Sequence, residues 1–324
     1  MTMTALIVRR LLQMIPLLIG VSFLTFAIVN LVPGSPVSSL QFNPKTRPED
    51  IAHIRHNLGL DRPWYERYFV WLFDVLHGDL GLSLTNQTPV RDRLLGVLPN
   101  TLLLTGASLV LALTVAIPLG VFSAANRNSL FDHITTVIAT AFSSIPSFWL
   151  ALLLIILFSD RFRAWGLPAL PINGMKSLQG NSGILDRIEH LVLPATALSL
   201  AQIAGWTRFI RSSMLETIGQ DYIRTAQAKG LPRRSVIYSH AFRNALIPLV
   251  TLVGLALPEL FGGAYLIEQI FAWNGAGRLT YQATQSSDYT LIMGATLMFA
   301  TLTMLGNLAA DVLYAVADPR IRYD

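Results

Sequence analysis

Residues 101–125, TLLLTGASLVLALTVAIPLGVFSAA, decide the fold. The run holds no formal charge, and at about 1.5 Å of helical rise per residue it exceeds the ~30 Å needed to cross a bilayer's hydrocarbon core. Inside that core every backbone N–H and C=O must find its partner within the protein, which makes a helix the natural solution. Leu11–Val32, Ile134–Ser159 and Thr290–Ala310 are likewise charge-free. Two further runs are less regular: Leu191–Thr207 is short and holds Pro194, and Ala245–Ile267 holds one acid, Glu259. The expectation is an all-α polytopic membrane protein with six transmembrane helices.

Composition agrees, with 52% hydrophobic and 13% charged residues in 324, where soluble domains carry about a quarter charged. There is no cysteine, which excludes a disulfide framework or thiolate metal site. The isoelectric point near 9.7 reflects arginines beside the apolar runs, not a basic patch interleaved with aromatics, so nucleic acid is not an expected partner. Leu11–Val32 is too long for a signal-peptide core and is read as a retained helix.

Basic residues flanking spans stay on the cytoplasmic side. An N-in, C-in arrangement puts 12 of the 24 Lys and Arg residues into four short inner segments, 1–10, 126–133, 208–244 and 311–324. The outer segment Pro33–Asn100 is too long for a plain connection. A helix is expected over Pro48–Leu58, and a second from Trp64 to Asp74, whose Trp64, Tyr65, Tyr68, Phe69 and Leu72 fall at helical spacing on one aromatic face. That face suits either an interfacial anchor or a docking surface. Residues 160–190 and 268–289 read as outer loops rich in turn residues. The chain divides into residues 1–100, one span plus the outer segment, and 101–324, a five-helix core with the inner loop 208–244.

That inner loop is the ordered exception among the connections. Ser212 offers a helix start, unless the fourth span simply runs on as one helix; Gly219 offers a bend, Asp221 a cap for a short helix through Lys229, and Gly230 then reverses the chain. Arg233–Asn244 forms a return limb with Val236, Ile237, His240 and Ala241 on its apolar-leaning face. Spacing alone fits a solvated positive-inside loop equally well.

The residues DYIRTAQAKGLP at 221–232 and HAFRNALIP at 240–248 resemble the loop of binding-protein-dependent ABC importer permeases, in the dipeptide, oligopeptide and nickel subfamily. Gly230 occupies the motif's glycine position and Arg224-Thr225-Ala226 its first block. VPGSPV (32–37), LGLD (58–61), GDLG (78–81), LPNT (98–101), SIPSFW (144–149), EQIF (268–271), GAG (275–277) and DPRIR (318–322) extend the likeness over nearly the whole chain. It departs at Ser35, where Asp is common, and at Ala272–Gly277. The resemblance implies a type I importer permease fold in the cytoplasmic (inner) membrane, with peptides or nickel as cargo. The implied coupling surface toward an ATPase is Asp221, Tyr222, Arg224, Thr225, Ala226, Lys229 and Gly230. Implied partners are a second permease, two ATPase subunits and an extracytoplasmic solute-binding protein. The chain has no phosphate-cradling GxxxxGK[ST] sequence, so no bound cofactor and no catalysis are expected of it, ATP and Mg belonging to the partners.

Polar residues within the apolar runs are candidate pathway groups: Ser143, Ser144 and Ser147 beside Pro146, Gln202, and Glu259 after Pro258. An intramembrane carboxylate must face protein or water. Glu259 therefore either lines a pathway or is satisfied by a neighbour, and the serines either meet substrate or pack helices. An ion- or proton-coupled transporter using Glu259 is the alternative mechanism. An intramembrane enzyme finds no nucleophile–base pair at helical spacing.

Overall fold

The computed structural model describes residues 3–31, 61–177, 183–245 and 247–317. Among the described residues the regular structure is helical, apart from an isolated bridge between Leu82 and Pro89. The expected helix at 48–58, with His53 and His56, lies outside them, as does the C-terminal DPRIR.

In chain order the helices are α1 (Met3–Leu31), α2 (Trp64–Leu76), α3 (Val90–Ala125), α4 (Leu130–Ser144) and α5 (Ser147–Ala164, with a π-turn at Ile156–Arg161). Then come α6 (Ile184–Ile218), α7 (Asp221–Ala228), α8 (residues 233–245, with a π-turn at Val236–Ala241), α9 (Ile247–Ile270), α10 (Ala276–Gln285) and α11 (Tyr289–Ala317). Four are long and apolar enough to cross a membrane: α1, α3, α6, and α11 over Tyr289–Leu313. The pair α4 and α5 makes a fifth span if counted as one. Helix α9, 24 residues long, occupies the place of the remaining expected span.

The long helices α3 and α6 form the centre. Ser108, Ala112, Ala116, Gly120 and Ala124 recur every fourth residue along α3, and all are buried. Small side chains at that spacing let two backbones approach closely, the usual basis of helix association where lipid is as apolar as the protein. At Gly120 an added Cβ would stand 2.8 Å from both the Ile210 Cβ and the Thr207 carbonyl oxygen of α6. Helices α4 and α5 lie across α6, and α9 packs against α11, where Gly254 meets Ala310.

Three expectations change. The third span is not one helix from 134 to 159: α4 and α5 meet at a 105° bend. Pro146 has no N–H and disfavours helical geometry at the residue before it, and Ile145 is accordingly extended at φ −98°, ψ 128°. The fourth span is not confined to 191–207: α6 runs for 35 residues through Pro194, and of the two readings at Ser212 it takes the one in which the span runs on as a single helix. The loop at 160–190 is shorter than expected, since α6 already begins at Ile184, and the 10-residue α10 follows the turn expected at 273–277.

Helix α2 sits against α1. Its aromatic face is divided: Tyr68 is buried between Phe26 and Met293, while Trp64, Tyr65 and Phe69 are exposed. Tyr68 shares a 3.0 Å hydrogen bond with Ser22, and the Arg67 guanidinium donates to the Asn30 side chain. Burial holds the Arg67 pKa below its ordinary value.

Replacing Gly120 by Leu forces α3 and α6 apart. It should cost about 1–3 kcal/mol, seen as a lower midpoint of thermal unfolding in detergent, whereas Gly106→Leu, at a position with no atom within 4 Å of an added Cβ, should leave the midpoint unchanged.

Candidate coupling surface and pathway residues

Helix α6 ends at Ile218 and turns at Gly219 into α7. The residue preceding α7 is Gln220, with extended φ −73°, ψ 152°, and it makes no side-chain cap. Asp221 is thus the first helical residue rather than the cap expected of it. Its carboxylate meets Arg224 Nη1 at 3.3 Å, with both side chains exposed, a pair that adds little stability in water.

An eight-residue helix has too few internal bonds to persist alone. Helix α7 is held by its underside: Ile223 and Ala226 are buried in a cluster with Met214, Val236, Ile237 and Ala241. Asp221, Tyr222, Arg224, Thr225, Gln227, Ala228, Lys229 and Gly230 are exposed. Six of the seven predicted coupling residues therefore share the open face, while Ala226 turns inward because it lies three residues from Ile223 on the anchoring side. On the return limb Val236, Ile237 and Ala241 are buried but His240 is exposed.

Gly230 closes the helix with φ +76°, a conformation that costs residues with a Cβ. Its N–H donates to the Gln227 carbonyl at 2.9 Å, and the Leu231 N–H to that of Ala226 at 3.3 Å, a glycine-terminated helix end. One bond then joins the two limbs of the hairpin and two more tie it to α6 and α3. Asn244 Nδ2 donates to the Tyr222 hydroxyl at 2.9 Å, Ser213 Oγ to the Ala245 carbonyl at 3.2 Å, and Arg233 Nη2 to the Ala125 carbonyl at 2.6 Å.

Among the pathway candidates, Ser143 and Ser144 sit on the last turn of α4. Both are exposed and both hydroxyls donate to the Thr140 carbonyl at 2.9 Å. Their oxygens keep free acceptor capacity. Ser147, half-buried, opens α5 across the bend. Gln202 is partly buried on α6, and its Oε1 has no hydrogen-bond partner among the described residues. Glu259 belongs to α9, but its side chain lies outside the described residues. The bend thus gathers the three serines, and no described contact joins them to Gln202.

Three buried carboxylates escape sequence reasoning. Asp132, at the start of α4, receives Arg211 of α6 through Nε at 2.5 Å and Nη2 at 2.7 Å. It also accepts from the Ser123 hydroxyl of α3 and, at 3.0 Å, from the Asn128 N–H. Glu268, fully buried at the end of α9, accepts from Thr101 Oγ1 at 2.6 Å and the Arg278 N–H at 2.9 Å. Gly275 is required there, since a Cβ would strike the Glu268 carboxylate. Asp288 accepts from Ser83 Oγ at 2.5 Å and from the N–H groups of Leu84 and Leu291 at 3.0 and 3.2 Å. Each unites segments far apart in sequence, so local spacing offers no signal beyond the glycines around 275.

The polytopic helical architecture and this hairpin define a membrane transport subunit. Residues 116–323 match the family described as binding-protein-dependent transport system inner membrane component, and residues 3–105 match the N-terminal membrane component of the same systems. The chain belongs to that family and is a multi-pass protein of the cytoplasmic membrane. It is 42% identical over 322 residues to the oligopeptide transport system permease protein AppB of Bacillus subtilis, covering 99% of this chain and 100% of that one. Identity is 40% over 336 residues with the dipeptide transport system permease protein DppB of Escherichia coli K12, covering 98% of each. With the di/tripeptide transport system permease protein DppB of Pseudomonas aeruginosa it is 38% over 335 residues, covering 99% of each.

The absence of native cysteine makes the hairpin's two faces separately readable. Cysteines placed one at a time at Arg224, Gln227 and Ala228 should react readily with a hydrophilic maleimide in the detergent-solubilised chain, and those at Ile223 and Ala226 slowly. Fast labelling at Ala226 would contradict the inward placement.

Proposed function

We propose that this chain is the permease subunit of an ATP-driven importer of short peptides, and that the exposed face of α7 seats on a cytoplasmic ATPase subunit. The observation that carries the coupling reading is the shape of the hairpin: an open polar face, Asp221 to Gly230, held rigidly from beneath by Ile223 and Ala226. A polar helix face fixed on an apolar base offers a partner a preordered surface with little left to order on binding. Peptide cargo is supported by the oligopeptide, dipeptide and di/tripeptide systems to which the relatives belong.

In this reading two ATPase subunits bind and hydrolyse ATP with Mg, and their closure moves the cytoplasmic hairpin of this chain and that of a second permease. The spans tilt, and the pathway between the two permeases opens alternately to either side. An extracytoplasmic solute-binding protein delivers cargo to the outer segments. The orientation is N-in and C-in with six spans, which puts α7 and the Asp132–Arg211 pair on the cytoplasmic side. Within the membrane the bend between α4 and α5 bears Ser143, Ser144 and Ser147, and with Gln202 and Glu259 these supply the polar contacts along the pathway. A proline-broken span with free acceptor groups is where transporters place such contacts.

The test is uptake by the complete transporter in proteoliposomes, with radiolabelled alanyl-alanine as probe. Uptake should require ATP inside the cytoplasmic-face compartment and fall roughly tenfold in Arg224→Glu, the scale of a disrupted charged contact at an interface. Uptake driven by a proton or sodium gradient without ATP would overturn the proposal.

A further inference from the structure

The cytoplasmic hairpin is chained to α6 at one end and to α9 at the other, so a push on α7 has two covalent routes into the membrane. The route through α6 meets α4 at the Arg211–Asp132 pair, but neither route bonds the hairpin itself to the end of α3. Yet Arg233, at the first position of α8, donates from Nη2 to the carbonyl of Ala125, the last residue of α3, at 2.6 Å. A guanidinium at a helix C-terminus meets both an unpaired carbonyl and the negative end of the helix dipole, so this is a directional, charge-assisted bond.

Two residues before Ala125, Ser123 donates to Asp132 of α4, and Asp132 is gripped by both Nε and Nη2 of Arg211 on α6. Asp132 is only 1% exposed, and breaking a buried pair on one side is strongly unfavourable. Asp132 thus joins the end of α3, the start of α4 and Arg211 of α6 in one cluster. Beside this joint an open apolar groove is lined in part by Phe122, Phe131, Tyr238 and Phe242. Arg233 supplies the polar tether from α8 to the end of α3.

We propose that Arg233 is a positioning residue of the transport cycle, passing displacement of the hairpin to the end of α3 and, through Ser123 and Asp132, to α4 and the serine-bearing bend. The inference rests on the coupling reading given above. Arg233 acts through the Ala125 carbonyl and not by touching cargo or nucleotide.

The experiment places a reporter on α4. Thr140→Cys, on the exposed face of that helix in a chain without native cysteine, is labelled with a maleimide in the complete transporter, with and without ATP and vanadate. In the parent the labelling rate should change with nucleotide. In Arg233→Met that response should shrink by roughly tenfold, the scale of one charge-assisted hydrogen bond, while ATPase subunits stay bound and ATP hydrolysis persists. Arg233→Lys, which keeps a cationic donor, should restore part of the response. An undiminished response in Arg233→Met would overturn the inference. So would loss of the ATPase subunits from that variant, because Arg233 would then be part of the ATPase contact itself. Arg224→Glu separates the two readings: if it leaves the nucleotide response intact the coupling reading fails, and if it abolishes the response where Arg233→Met does not, only the tether fails.

Discussion

Close approach of α3 and α6 is the contact on which the remaining helices depend. In a bilayer a leucine gains nothing by leaving lipid for another helix, so association rests on packing and hydrogen bonds. The four-residue repeat Ser108, Ala112, Ala116, Gly120, Ala124 gives α3 a nearly flat seam, and α6 fills it with Thr207 and Ile210. Against this pair α4 and α5 lie on one side, α10 and α11 pack on the N-terminal part of α3, and the hairpin extends from the C-terminal end of α6. Displacing the seam would carry every one of those elements with it.

Polar clusters close both ends of the seam. A buried carboxylate is tolerated only when several donors converge on it, and that need is what makes Asp132 and Glu268 useful as joints. Asp132 collects a side-chain donor from α3, a backbone donor from the α3–α4 turn and two from α6. Glu268 binds α3 through Thr101 and also the start of α10, since the Ala276 N–H reaches the same threonine at 2.8 Å. Asp288 does the same for the loop before α3 and the first turn of α11. Membrane-embedded packing sets the middle of the bundle and carboxylates set its ends.

The spans carried by α1, α3 and α11 were legible because absence of charge over twenty residues suits a helix to the bilayer core. The hairpin was also legible, since Gly219 and Gly230 mark its turns and α7 lies within one residue of its expected position. What escaped was of another kind. Pro146 was visible, but a 105° bend requires knowing that α6 supports both arms. Ala226 was assigned to the open face because α7 had no anchoring side until Ile223 was seen to be buried. Asp132 and Arg211 looked like ordinary residues of two positive-inside loops, 79 positions apart, and nothing in either loop points to the other. Glu268 sat in a segment quoted only for its likeness to a family.

Helix α7 shows why the hairpin is built with so little structure of its own. Eight residues cannot hold a helix in water, so its geometry is borrowed from α6 and α8 through Ile223, Ala226 and the Tyr222–Asn244 bond. An independently stable helix on flexible connections could be bound by a partner and moved without consequence for the spans. One that exists only while docked on its neighbours cannot shift relative to them without losing its fold, so motion imposed on its open face must be taken up by α6, α8 and the helix ends tied to them.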